Sequence, residues 1–127
     1  MVAAVIEREG QYLITQRRST AVLPGLWEFP GGRVETGEDD ETALKREVKE
    51  RLGVEVAVKA RIAHRLHSYE GYAVDLNLYQ AVLVSQQTPA ALRVAAFRWV
   101  GSDEFEHFQF PAADQATTDL LLGIKRL

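Results

Sequence analysis

Residues 31–54, GGRVETGEDDETALKREVKERLGV, constrain this chain more than any other stretch. Paired glycines at 31 and 32 permit a tight backbone turn, and Leu44, Val48 and Leu52 then recur at helical spacing as one apolar stripe. Gly53 stands where a left-handed cap would close that helix, which predicts an end at about Leu52. On the adjoining face Ala43, Glu47, Glu50 and Arg51 follow one another at three- and four-residue steps. One stripe can anchor the helix while the other gathers carboxylates. With Glu38 at the helix start, Glu47 and Glu50 make a hard oxygen set suited to Mg2+ or Mn2+. A plainer reading is a solvated helix laced by Glu47–Arg51 and Arg46–Glu50 pairs, which explains the charges but not the glycines.

These residues resemble the Nudix box, in which Gly, five residues, Glu and seven residues precede Arg-Glu-U-x-Glu-Glu-x-Gly-U, with U apolar. Gly32, Glu38, Arg46, Glu47, Val48, Glu50, Gly53 and Val54 occupy the pattern, and one position departs: Arg51 stands where the second Glu of the adjacent pair belongs. The preceding LWEFPGG and the later FQFPAADQATTDLLL are similar to the corresponding segments of MutT-like nucleoside triphosphate pyrophosphohydrolases. The resemblance implies one domain over residues 1–127, of α+β class: an α/β/α sandwich with a mixed sheet and the box as a loop-helix-loop. It also implies a metal set of the Gly31 carbonyl, Glu47 and Glu50, binding Mg2+ (or Mn2+). Glu47 is in addition a candidate base, Glu38 a water-mediated or helix-start contributor, and Arg46 the holder of a glutamate through a salt bridge. Ligand and base are not separable from these residues alone.

Elsewhere the chain is ordinary for a globular protein, with 127 residues, 46% apolar and 26% charged. A formal charge of -3 gives no general pull toward nucleic acid polymers or anionic membranes, so phosphate affinity has to be local or carried by a metal. The absence of cysteine excludes disulfides, thiol nucleophiles and cysteine metal sites. There is no apolar run of bilayer length and no signal-peptide pattern, and a cytoplasmic protein is expected.

VAAVIER (2–8) and QYLITQRR (11–18) read as strands paired across Glu9-Gly10. Arg17 ends the second; it is either solvated or, as the resemblance implies, a contact for substrate phosphates. Pro24-Gly25 punctuates a loop before a short aromatic strand, Trp27 to Phe29, where Phe29 has a core reading and a substrate-contact reading. Asp39 and Asp40 read as capping acids at the positive helix start. After the helix, Val54, Val56, Val58, Ile62 and Leu66 alternate, predicting a long half-buried strand that turns at 69–71 and returns through Val74, Leu76 and Leu78. His64 and His67, three apart, should face opposite sides of it, against a paired histidine site. A last strand is expected at 95–100, a short helix near 102–106 and another from about Ala112. Related hydrolases often carry a further glutamate before that last strand; Arg93 stands near the position here. Asp114 is either a first-turn acid or, by the resemblance, a contact to the nucleobase edge.

Three functions follow: a Mg2+-dependent hydrolase of nucleoside diphosphate linkages, most naturally a nucleoside triphosphate, oxidised or non-standard forms included; a weakly active module binding a nucleotide or ADP-ribose-like ligand; or an interaction domain keeping the fold alone. In the first two the partner is a small-molecule nucleotide. Arg51 decides among them. Two unit charges about 4 Å apart interact by around 1 kcal/mol in water and around 4 kcal/mol at an effective dielectric of 20, so a fixed cation beside a metal weakens its binding. Alternatively, the side chain swings away to Asp40, Glu55 or solvent, or its guanidinium grips phosphate directly.

Overall fold

The computed structural model describes residues 1–21 and 23–112. Among these residues seven strands and one α-helix run in the order β1 (Val2–Arg8), β2 (Gln11–Gln16), β3 (Trp27–Glu28), β4 (Gly31–Gly32), α1 (Asp40–Leu52), β5 (Val56–Tyr69), β6 (Tyr72–Leu83) and β7 (Ala96–Val100), followed by a 3-10 helix at Ser102–His107. The sheet is mixed. Its path is β3-β2-β1-β6-β5, with β4 added on β1 and β7 on β2, and β1 and β6 are parallel whereas the other pairs are antiparallel.

The continuous apolar run of β1 suits a strand covered on both faces. Val2, Ala4 and Ile6 pack with Leu13 and with Ala43, Leu44, Val48 and Leu52 of α1, while Ala3 and Val5 face Ile14, Phe29, Leu78, Val100 and Phe105. Burying Leu44, Val48 and Leu52 completely contributes roughly 1.5–3 kcal/mol each, which ties α1 to the sheet far more firmly than its surface charges do. Asp39 caps the helix, accepting from Thr42 N at 2.8 Å, and Gly53 ends it at φ 70° with its N–H on Lys49 O. Asp40, the next acid along, reaches across to the sheet instead, where its Oδ2 accepts from the Tyr79 hydroxyl of β6.

One expectation is corrected. The apolar alternation of β5 does not stay half-buried along its length, because the register slips between Val58 and Arg61 and again between Arg61 and Ala63. Such bulges change the phase of the pleat. Val54 and Val56 are buried and Ala63 packs on the core, but Ile62 is exposed and Leu66 is 72% exposed. His64 turns to Asp75, and His67 packs edge-on against Tyr69. No helix among the described residues is long and apolar enough to cross a membrane.

Candidate active site

The glycine elbow is built against the start of β1. Gly31 and Gly32 pair with Ala3 and Val2, and Ala4 N donates to Pro30 O at 2.8 Å. A Cβ at Gly31 would stand 2.0 Å from the Val2 carbonyl oxygen; one at Gly32 would stand 2.1 Å from Glu47 Oε2. Gly32 therefore leaves room for a carboxylate laid directly on the backbone. The elbow and the helix meet there.

Arg46 organises the acids. Its Nε and Nη2 hold Glu38 at 2.8 and 2.9 Å, Nη1 donates to Glu47 Oε1 at 2.8 Å and reaches Glu50 Oε2 at 3.4 Å, and Nη2 also binds the Arg33 carbonyl at 3.0 Å. Glu47 and Glu50 thus share one guanidinium nitrogen, which brings their carboxylates into one neighbourhood. Hydrogen bonds from Arg46, then the Glu35 N–H, hold the Glu38 carboxyl at about 2, against an ordinary 4.5. Its hydrogen bonds to Glu38 and then Glu47 raise the pKa of Arg46, so the hub is a permanent cation.

The other oxygen of Glu47 belongs to Arg51, whose Nε donates to Oε2 at 2.9 Å. Of the fates open to this residue, the one found is the pair with Glu47; Glu55 is taken by Lys49 and Asp40 by Tyr79. Arg93 lies beside Glu50, its Nη1 3.6 Å from Oε2. Both lacing pairs foreseen for a solvated helix are present, yet the Glu47 side chain is only 12% exposed and faces the elbow.

Glu47, Arg51, Gly31, Gly32 and Arg33 line a cleft of about 890 Å³ together with Arg17 and Glu28 and with Tyr69, Tyr72, Val74 and Asp75 of the β5–β6 hairpin. Arg17 grips Glu28 with Nη1 at 2.9 and 3.1 Å from the two carboxylate oxygens. Burial raises the pKa of Glu28, and the charges of Arg17 and then Arg51 oppose that rise. Tyr69 and Tyr72 stack at 5.1 Å and 17°.

Phe29, a candidate substrate contact, is instead buried in the core, stacked on Phe110 and edge-on to Phe105. It lies in the link between β3 and β4, where its ring packs on Phe105 of the 3-10 helix, and it is not among the residues lining the cleft. Asp114 and the helix expected from Ala112 onward lie outside the described residues. Glu28, Asp75 and the tyrosine pair were not singled out from the sequence. The signal for Glu28 was there: one acid inside an aromatic strand needs a cation partner.

Among the described residues no three acidic, histidine or cysteine groups converge as a ready metal cluster. The donor set nonetheless fits one divalent ion. Mg2+ takes one or two carboxylates and completes its shell with waters and phosphate oxygens. Glu47 and Glu50 could supply those carboxylates, beside a backbone cradle that a Cβ would fill.

The NUDIX domain family model matches residues 1–120. The CTP pyrophosphohydrolase of Escherichia coli (strain K12) is 32% identical over 125 residues, 98% of this chain and 92% of that protein. The 8-oxo-dGTP diphosphatase of Haemophilus influenzae is 33% identical over 126 residues, covering 97% and 90%. The solution structure of the E. coli ORF135 protein superposes with a TM-score of 0.78 at 31% identity, covering 97% of this chain and 87% of that one. The MutT protein of Methanosarcina mazei Go1 reaches 0.83 at 20% identity, covering 96% and 91%, a likeness of fold.

Proposed function

This chain belongs to the NUDIX domain family, and on that premise we propose that it hydrolyses a nucleoside triphosphate to monophosphate and pyrophosphate, using Mg2+ or Mn2+. The observation that carries the proposal is the joint hold of Arg46 on Glu38, Glu47 and Glu50, with Glu47 and the Gly32 cradle lining a cleft large enough for a nucleotide. Relatives named for CTP and for 8-oxo-dGTP agree on the triphosphate and differ in the base. They support the reaction class and leave the base to experiment.

A bound divalent ion supplies neutralised phosphate oxygens and a more acidic water. Glu47, Glu50 and the Gly31 carbonyl would hold it. One of the two glutamates accepts the proton of the attacking water as its oxygen bonds to phosphorus. The bridging P–O bond then breaks, and its electron pair leaves with the departing phosphate group. Arg46 keeps the carboxylates in fixed relation, so no reorganisation is needed when charge develops. Arg17, Arg33 and Arg51 offer donors along the same cleft for the phosphate oxygens. Tyr69 and Tyr72 give it an aromatic wall.

The second reading, a nucleotide-binding module with little turnover, is favoured by the Arg51–Glu47 pair. A nucleotide panel, oxidised and non-standard bases included, assayed for pyrophosphate release with Mg2+ and with Mn2+, separates the two. Release supports hydrolysis; thermal stabilisation by nucleotides without release supports the module.

A further inference from the structure

Both carboxylate oxygens of Glu47 are answered by guanidiniums, Oε1 by Arg46 at 2.8 Å and Oε2 by Arg51 at 2.9 Å. Glu50 Oε2 lies 3.4 Å from Arg46 and 3.6 Å from Arg93. On this face Glu35, Glu38, Glu47 and Glu50 meet Arg46, Arg51 and Arg93, so three of the four negative charges are offset and little surplus negative potential is left to draw in several divalent ions.

The Arg51 pair differs from ordinary helix lacing. Lys45 and Glu41 on the same helix are 3.5 Å apart with side chains 50% and 58% exposed, whereas Arg51 and Glu47 are 31% and 12% exposed and both line the cleft. Nε is spent on Glu47. Among the described residues no hydrogen bond engages Nη1 or Nη2, which leaves the outer edge of a planar fork for a doubly anionic ligand.

We propose that Arg51 is a built-in cation: it holds Glu47 with one edge and receives substrate phosphate on the other, so that the site takes a single divalent ion, whereas a carboxylate at position 51 would admit a second. This rests on the phosphohydrolase reading and specifies how its charge is balanced. Glu47 and residue 51 are one helical turn apart, so a glutamate at 51 would join Glu47 and Glu50 in one oxygen cluster.

Mn2+ alone, titrated into the intact chain with the free ion followed by electron paramagnetic resonance, tests the count. Wild type should saturate at one Mn2+ per chain and Arg51→Glu at two. Arg51→Met, which keeps the apolar stem and adds no ligand, should stay at one and bind about tenfold more tightly, since a competing charge has gone. It should also raise KM for the nucleotide more than it lowers kcat, because phosphate loses a donor. Thermal melts establish that each variant is folded, and if Arg51→Glu does not fold, Arg51→Met decides. Equal counts for wild type and Arg51→Glu, or no tightening in Arg51→Met, overturn the proposal. A wild type that binds two Mn2+ and hydrolyses nucleotides defeats this inference alone; one that binds a single Mn2+ yet releases no pyrophosphate from any nucleotide defeats the hydrolase reading and leaves the ion count standing.

Discussion

Gly32→Ala isolates the cradle from the rest of the fold. An ideal Cβ there lies 2.1 Å from Glu47 Oε2 and 2.3 Å from Cδ, with no main-chain atom among the nearest contacts. The carboxylate has to retreat by about 1 Å, and a misplacement of that size at a reacting group costs about 100-fold in rate. It is also held from two sides, by Arg46 and Arg51. Losing one of these charge-assisted hydrogen bonds costs about 1.5–3 kcal/mol, and replacing glycine returns about 0.4–1 kcal/mol through the unfolded chain. A net loss of about 1–2 kcal/mol leaves the protein folded. Gly31→Ala is the contrast, because its Cβ meets the Val2 carbonyl oxygen at 2.0 Å and Ala3 Cα at 2.7 Å, atoms that move only if β4 parts from β1. Pyrophosphate release and thermal melts of both variants provide the comparison. The expected result is a folded, nearly inactive Gly32→Ala and a Gly31→Ala that melts far lower or fails to fold. Full turnover by Gly32→Ala would show that Glu47 need not sit on the elbow for the chemistry to proceed.

Three further outcomes are expected. Glu50→Gln should abolish pyrophosphate release while leaving the melt within about 0.5 kcal/mol, as for an exposed substitution; retained activity would remove Glu50 from the site. Arg17→Met should destabilise the chain by about 1–3 kcal/mol at neutral pH, because the half-buried Glu28 loses the cation that pairs with it. Adding Glu28→Gln to it should restore most of that, and failure of this rescue would mean that Arg17 acts through other contacts. Glu38 makes stability acid-sensitive: its carboxyl is held at about 2 in the fold against an ordinary 4.5. Folding favours the ionised form, so this contribution is complete above about pH 4.5 and is lost as pH falls through about 2. In urea titrations, Glu38→Gln should show a shallower loss of stability across that window, and identical slopes would contradict the assignment.

The helix, its Asp39 and Gly53 caps and the β1–β2 hairpin could be read from the sequence because each is settled within a few residues. Glu9-Gly10 turns with positive φ at both positions, and the 3.6-residue stripe of Leu44, Val48 and Leu52 is the stripe that is buried. Phase was lost in β5, where the slips around Arg61 depend on what β6 offers across the pair. Local pattern cannot register that. Arg51 had several reachable partners by spacing alone; competition from Lys49 for Glu55 and from Tyr79 for Asp40 decided the outcome, and Tyr79 enters from another strand. The cleft wall was hidden for the same reason. Glu28 meets Arg17 because β2 and β3 pair, and Asp75 arrives on the returning hairpin strand.

The elbow's attachment to β1 also sets how the molecule breathes. Strand β1 is paired with β2, β4 and β6, and the Val2–Gly32 pair falls in the hydrogen-bonding phase set by the Ala4 N–H on Pro30 O, so freeing the Gly32 amide disturbs a strand shared by three neighbours. Deuterium uptake at the Gly32 amide should track global unfolding, while the distal β5–β6 ribbon, exposed around Leu66, should exchange through cheaper local openings. On that expectation the cleft joins a firmly paired edge at the elbow to a hairpin that opens at lower cost.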